Sequence, residues 1–229
     1  FRSSAPLVPL RLFQSRGLTV SSGAIALNGA AFLSMFFLTA VYLQNVRGDS
    51  ALKTGLEFLP MGVAAILAAL AASQFVTKIG TRPIQLAGSV IGVIGLILLM
   101  QAGPGGSYVV HLLPGLVLFG IGIISVGVPA QITAVADVTG HDAGAASGVV
   151  TAFNQVGGAI GLAIVTTLAN SRTTDVLAGG ASQIDALVQG FHRGLLICAI
   201  YAAVTIAITI LSPRVRPTAE QLLEATAAA

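Results

Sequence analysis

Residues 17–46 read GLTVSSGAIALNGAAFLSMFFLTAVYLQNV and contain no Asp, Glu, Lys or Arg. Four further stretches share this property: 58–77, 83–136, 143–171 and 194–213. A helix needs roughly 20 apolar residues to cross the hydrocarbon core of a bilayer, and each stretch is long enough. The longest stretch holds two crossings, because AGPGGSY at 102–108 interrupts it with turn-forming residues. We therefore predict six transmembrane helices, at about 20–44, 52–76, 84–102, 108–135, 144–169 and 192–212.

The composition agrees with a membrane protein. Apolar residues make up 55% of the 229 residues and charged residues only 8%, whereas soluble proteins carry about 25% charged residues. So few charges cannot cover a surface that faces water, so most of the outer surface must meet the lipid bilayer. Lipid cannot satisfy free backbone groups, and long continuous apolar runs favour helices over a β-barrel. The predicted fold class is an all-α, polytopic membrane protein.

Charge in the loops predicts the orientation. Six crossings leave both termini on one side, which carries seven of the basic residues: Arg2, Arg11, Arg16, Lys78, Arg82, Arg214 and Arg216. The other side carries four: Arg47, Lys53, Arg172 and Arg193. The positive-inside rule therefore predicts cytoplasmic termini in the cell (inner, cytoplasmic) membrane.

This topology divides the chain into three parts. We expect an interfacial approach segment at 1–16, the transmembrane bundle at 17–213 and a cytoplasmic tail at 214–229. The longest outer loop is expected at 172–191, with a short helix near 182–189. The tail carries a capping-box pattern from Thr218 to Gln221.

Several classes of function have no support. The net charge of +3 is scattered, so we expect no nucleic-acid partner. Cys198 is the only cysteine, which excludes an internal disulfide. The chain has no P-loop, no H-E-x-x-H and no G-x-S-x-G motif. We therefore expect neither an enzyme nor a bound cofactor or metal.

Glycines recur at a spacing of four residues within the predicted spans. The pairs are Gly88 with Gly92, Gly144 with Gly148, and Gly157 with Gly161. This spacing puts both glycines of a pair on one helix face, where another backbone can approach closely. Such contacts either pack helices statically or let them slide during a transport cycle, and the sequence leaves both interpretations open.

Neutral polar side chains inside the spans are candidates for a substrate cavity: Asn28, Gln131, Thr151, Asn154 and Gln155. Polar groups in a membrane cost free energy unless they face a partner or a cavity. They either contact substrate or form hydrogen bonds to a neighbouring helix.

Glu57 is the only acid close to the interior of a predicted span. A carboxyl group in this position can carry a proton, which makes Glu57 the candidate for proton coupling. The alternative is an ordinary pair at the level of the lipid headgroups with Lys53, four residues earlier.

Specific strings resemble one family. PLRLF at 9–13, YLQ at 42–44 and SALKTGLEFLP at 50–60 resemble the start of the C-terminal domain in the major facilitator superfamily. The most similar members are the fourteen-span drug:proton antiporters of the EmrB/QacA type. SGVVTAFNQVGGAIGLA at 147–163 is similar to their penultimate helix, with Gln155 and the Gly157–Gly158 pair in place.

A weaker match concerns a cytoplasmic loop. SQFVTKIGTR at 73–82 resembles the loop signature of the superfamily. Lys78, Gly80 and Arg82 match it, while Ser73 and Thr77 replace the usual Gly and Asp. The missing acid puts a gating role in doubt, and a basic anchor at the membrane face is an equally good interpretation.

The resemblance implies a fold and a function. The fold would be six helices in two inverted three-helix repeats, forming one half of a transporter. The partner would be the N-terminal half of the same protein, with the cavity for a drug-like small molecule between the halves. The proton gradient would drive export, with most coupling acids in the other half. The alternatives are transport of a narrow metabolite, such as a sugar or siderophore, and a structural membrane subunit without transport.

Overall fold

The computed structural model describes residues 14–136, 138, 142–213 and 215, and within them six helices are long and apolar enough to cross a membrane. We number the helices in chain order: α1 (Arg16–Asn45), α2 (Ala51–Ile79), α3 (Thr81–Leu99), α4 (Leu113–Val135), α5 (Ala143–Ala178) and α6 (Gln183–Leu211). A π-helical turn, Tyr108–Leu112, leads directly into α4. The predicted fold class, an all-α six-helix membrane bundle, is confirmed.

Serine side chains fix the beginnings of three helices. At each, the hydroxyl oxygen accepts a hydrogen bond from the backbone N–H three residues later, which satisfies a donor that has no partner within the helix. The pairs are Ser15 with Leu18, Ser50 with Lys53, and Ser182 with Asp185. The start of a helix is therefore encoded locally at these positions.

The last two helices are longer than predicted. The expected loop at 172–191 is wrong, because α5 continues to Ala178 and α6 begins at Gln183. The short helix expected near 182–189 is the first part of α6. Polar residues ended the apolar pattern here, but no Gly or Pro interrupts the chain before Gly179. With 36 residues, α5 is about 54 Å long, well beyond a bilayer core of roughly 30 Å.

The flanking segments are only partly described. The predicted approach segment at 1–16 lies largely outside the described residues, although Arg16 is the first residue of α1. Most of the predicted tail, including the capping box from Thr218 to Gln221, also lies outside them. Of the tail, only Val215 is described, and its carbonyl accepts a hydrogen bond from the N–H of Thr81 at 3.0 Å.

Helices α1 and α4 lie at the centre of the bundle. Helix α1 packs mainly against α5 and α6, and α4 packs mainly against α3 and α2. The main contacts between these groups are those of α1 with α4 and of α3 with α6, with smaller ones between α4 and α5 and between α1 and α2. If α1, α2 and α3 are exchanged for α4, α5 and α6, most of these contacts stay the same. Two three-helix repeats would have this property. The main difference is that α5 packs on α6 far more than α2 packs on α3.

The largest buried cluster lies toward one end of the bundle. We call this the distal end; it holds residues 46–50, 100–107 and 179–182, opposite the beginning of α1 and the end of α6. There the ring of Tyr42 stacks on Phe191 with centroids 4.6 Å apart, and Phe119 is buried nearby. The stack of Tyr42 on Phe191 joins α1 to α6, and Phe119 of α4 belongs to the same buried cluster.

The outside of the bundle is strongly apolar. On α2, eight large aliphatic side chains are exposed: Leu52, Leu56, Leu59, Val63, Ile66, Leu67, Leu70 and Ile79. A soluble monomer rarely exposes so large an apolar face. Such a surface suits a bilayer or a second set of transmembrane helices.

Candidate functional site

One face of α5 carries exposed polar residues. Thr151 and Gln155 lie one turn apart, and both are exposed. The Thr151 hydroxyl donates a hydrogen bond to the carbonyl of Ser147 at 2.9 Å, within its own helix. The amide of Gln155 therefore presents the main polar group of this face.

Asn154 lies at the edge of the same face, where α5 meets α1. A Cβ atom on Gly29 would lie 2.8 Å from both the backbone oxygen and the Oδ1 atom of Asn154. Gly29 therefore permits the close approach of Asn154 to α1. Sequence reasoning missed Gly29, since it belongs to no G-x-x-x-G pair within its own helix.

Asn28 connects α1 to α4. Its Nδ2 atom donates a hydrogen bond to the carbonyl of Ile123 at 3.1 Å, and it lies 3.5 Å from the position of a Cβ atom on Gly127. Asn28 is next in the sequence to Gly29, the α1 residue that Asn154 of α5 approaches, but Asn28 itself bonds to α4. Asn28 thus fulfils the helix-bonding interpretation, while it stays half-exposed.

Gln131 lies further from the distal end than Asn28 and its partner Ile123 do. It follows Gly127 by one helical turn and is exposed. Eight residues separate it from Ile123, which corresponds to about 12 Å along α4. Gln131 therefore lies on α4 at a distance from the contact that Asn28 makes with Ile123.

The predicted packing glycines fall into two groups. Gly157 and Gly161 lie against α1, where added Cβ atoms would clash with Ala26 and Ala30. Gly158 is next to this contact, and a Cβ atom on it would lie 3.5 Å from a methyl group of Leu33. These three glycines form the close α1–α5 interface.

Gly144 and Gly148 behave differently. A Cβ atom on either would meet no atom within 4 Å. Their spacing places them on the α5 face that carries Thr151 and Gln155, away from α1. Within the described chain they therefore widen the polar face and do not pack against another helix.

Gly88 and Gly92 lie at the α3–α4 interface. A Cβ atom on Gly88 would lie 2.6 Å from the Cβ atom of Ser125, and one on Gly92 would make an ordinary 3.8 Å contact with Gly122. The tightest glycine here is Gly122, which the spacing pattern did not indicate.

Glu57 lies at the distal end in a charged cluster. Glu57 is only 9% exposed, so its carboxyl is not a fully solvated surface group. Oε1 lies 4.0 Å from the ammonium of Lys53, and Oε2 is buried without a hydrogen-bond partner. Lys53 lies nearer to Asp49, at 2.5 Å. The predicted Lys53–Glu57 pair is therefore present but long.

Asp49 is the acid that the basic residues hold most firmly. Its carboxylate accepts hydrogen bonds from Lys53 at 2.5 Å and from Arg47 at 3.1 Å. Burial alone would raise the pKa of Asp49, but these hydrogen bonds and positive charges outweigh burial and hold the pKa below its usual 3.8.

The residues of the loop signature join α2 to α3. Gly80 is the single residue between the helices, with φ 86° and ψ 171°. The ammonium of Lys78 lies 5.9 Å from the ring centroid of Phe75, and Arg82 is half-buried on the first turn of α3. Gly80 thus has a clear conformational role, and Lys78 is exposed as a basic anchor would be.

A groove of about 430 Å³ lies on another side of α5, away from Gln155. The residues that line it are apolar except for Tyr201, and Phe153, Val156 and Ile160 form its α5 wall. None of the polar candidate residues lines this groove, so the groove and the polar face of α5 are separate features. Among the described residues, no three His, Cys, Asp or Glu side chains lie close enough to hold a metal ion.

Comparisons with known proteins agree with this architecture. The chain is 31% identical over 211 residues to the puromycin resistance protein pur8 of Streptomyces alboniger, a match that covers 91% of this chain and 42% of that protein. It is 31% identical over 212 residues to the cephamycin export protein CmcT of Amycolatopsis lactamdurans, covering 92% of this chain and 44% of that protein. The lincomycin resistance protein of Streptomyces lincolnensis is 34% identical over 166 residues, with 71% and 34% covered.

The chain thus spans less than half the length of these relatives. A sequence model described as Major Facilitator Superfamily matches residues 2–162, well over half of the chain. With its six membrane-spanning helices, this chain belongs to the Major Facilitator Superfamily.

Proposed function

We propose that this chain is the C-terminal half of a proton-driven secondary transporter that exports drugs or other amphipathic small molecules. Two of the relatives are named as antibiotic resistance proteins and one as an export protein. Each is more than twice as long as the region it shares with this chain. A missing N-terminal half would account for the difference in length.

The observation that carries the proposal is the polar face of an otherwise apolar bundle. Gln155 and Thr151 on α5 and Gln131 on α4 are exposed, although all lie within helices that cross a membrane. Lipid would penalise these groups, so a water-filled cavity or a second protein half is their natural environment. The substrate cavity would lie between this face and the N-terminal half.

The chemistry of the face favours an uncharged or cationic amphipathic substrate. Its candidates are amides and a hydroxyl, which donate and accept hydrogen bonds without fixed charge. No charged residue occurs in α4 or in residues 143–171 of α5, the helices that carry this face. A face built for a charged metabolite or siderophore would need opposite charges in the middle of the helices.

Transport would follow an alternating-access cycle. The six helices pack as one unit around α1 and α4, so the half can rock against its partner while the cavity stays near the bilayer midplane. Exchange with protons would supply the energy, with cytoplasmic termini in the bacterial cytoplasmic membrane. Glu57 is the candidate acid in this half.

The test is ethidium efflux by the full-length protein with Gln155→Ala. Gln155 is exposed, so its truncation should leave folding intact. One lost hydrogen bond of about 0.5–1.5 kcal/mol should slow efflux at low ethidium by roughly three- to tenfold. Gln101→Ala, an exposed amide in the distal α3–α4 loop, is the matched control and should leave efflux unchanged.

Equal efflux by both variants at matched expression would contradict a substrate-facing role for Gln155. A structural subunit without transport would give no ethidium efflux even from the unaltered full-length protein. These outcomes separate a wrong cavity assignment from a wrong function.

A further inference from the structure

The carboxyl of Glu57 is unusually poorly satisfied for a buried acid. Oε2 is buried and has no hydrogen-bond partner, and the nearest cation to Oε1 is Lys53 at 4.0 Å. Lys53 itself is 54% exposed on its side chain and lies against Asp49 instead. A buried carboxylate that lacks donors is costly, and binding a proton removes that cost.

We propose that Glu57 is a proton-binding site whose charge controls a clamp at the distal end of the bundle. The inference rests on the proposed function, because it names a regulated step of a proton-driven exporter. Its test measures the clamp directly and does not depend on drug export.

The groups that face Glu57 come from three parts of the described chain. Lys53 is on its own helix, and Arg47 and Asp49 belong to the connection between α1 and α2. From the turn before α4, the hydroxyl of Tyr108 donates a hydrogen bond to the Glu57 backbone carbonyl at 2.5 Å. With Glu57 ionised, the two acids balance the two basic residues. With Glu57 protonated, one positive charge is in excess.

The clamp consists of side chains that hold the α3–α4 loop through its backbone carbonyls. The guanidinium of Arg47 donates to the carbonyl of Gly106, and the hydroxyl of Tyr42 donates to that of Gly103 at 2.9 Å. Nε2 of His192 lies 2.7 Å from the carbonyl oxygen of Ala102. Arg47 is therefore part of both the ionic cluster and the clamp.

This shared residue gives the direction of the effect. When Glu57 takes up a proton, Lys53 loses its second acid and both basic residues depend on Asp49 alone. Their mutual repulsion is then less well compensated, which weakens the hold of Arg47 on Asp49 and on the loop. Protonation of Glu57 should therefore loosen the loop at the distal end.

The experiment uses the full-length protein in lipid nanodiscs with Cys198→Ala and a nitroxide label on Ser107→Cys, an exposed position in the loop. Label mobility is measured by electron paramagnetic resonance at about pH 5 and about pH 8, because binding of a proton is favoured at the lower value. We expect greater mobility at the acidic pH. The same label on Ala181→Cys, in the α5–α6 turn, should give equal mobility at both values.

Glu57→Gln mimics the protonated carboxyl, so its label should be mobile at both pH values and the pH response should be lost. Lys53→Met keeps Glu57 but removes the link to Asp49, and it should also abolish the response. This second variant serves if Glu57→Gln fails to fold. An unchanged pH response in either folded variant would overturn the proposal and assign the response to other groups, such as His111 or His192.

Discussion

Gly122 is the residue at which α3 and α4 approach most closely. A Cβ atom there would lie 2.5 Å from the Gly92 nitrogen and 2.7 Å from the Gly88 carbonyl oxygen. These are backbone atoms that cannot rotate away, so the two helices would have to separate. We predict that Gly122→Ala destabilises the folded protein by about 1–3 kcal/mol, measured by unfolding in detergent.

Gly148→Ala is the matched control for this prediction. Gly148 has no atom within 4 Å of an added Cβ, so the change should be neutral or should stabilise α5 by about 0.5–1 kcal/mol. Equal losses of stability in the two variants would contradict the packing role of Gly122.

Asp49 makes the stability of the distal end depend on pH. Its pKa is lowered in the folded protein, so its contribution is complete above the ordinary value of 3.8 and is lost as the pH falls through the lowered pKa. We predict that Asp49→Asn lowers the melting temperature near pH 6 and that the difference shrinks as the pH falls below 3.8, through the lowered pKa of Asp49. A difference that grows as the pH falls would contradict the sign of this effect.

Single residues show what the sequence can predict about the site. The four-residue spacing found Gly157 and Gly161 because both partners in the pattern lie on one helix. Gly29 and Gly122 escaped it, because neither has a second glycine four residues away in its own helix, although both lie against neighbouring helices. The burial of Glu57 likewise depends on surroundings that come together only in the folded bundle.

At the scale of helices, the corner between α2 and α3 consists of Gly80 alone. Its φ of 86° and ψ of 171° belong to a region that only glycine enters readily. We predict that Gly80→Ala costs about 1–3 kcal/mol and lowers the melting temperature in detergent. Gly55→Ala is the control, since Gly55 is helical and a Cβ there would meet nothing within 4 Å. A loss for Gly55→Ala as large as for Gly80→Ala would contradict this account of the corner.

The helix boundaries illustrate the limits of an apolar pattern. The first four predicted helices agree with the structure to within four residues, because charges and turn residues flank them. The last two were underestimated by nine residues each, at 170–178 and 183–191. Those segments are polar enough to leave the bilayer yet remain helical, and hydropathy measures only the first property.

At the scale of the molecule, the bundle separates two kinds of surface. Apolar side chains cover α2 and the groove beside α5, while amides and a hydroxyl mark the face of α4 and α5. Composition alone predicted a lipid-exposed bundle. It could not predict the contacts of the polar residues, because Asn28 and Ile123, like Asn154 and Gly29, are distant in sequence and meet only in the folded bundle.

The central claim is that Gln155 faces a water-filled substrate cavity and the opposite side of α5 faces lipid. Gln155→Cys and Ile160→Cys, each in a full-length protein freed of other cysteines, can be compared with a water-soluble maleimide. We predict that position 155 is labelled, that ethidium protects it, and that position 160, which lies in the apolar groove, is not labelled. Labelling of position 160 without labelling of position 155 would contradict the account.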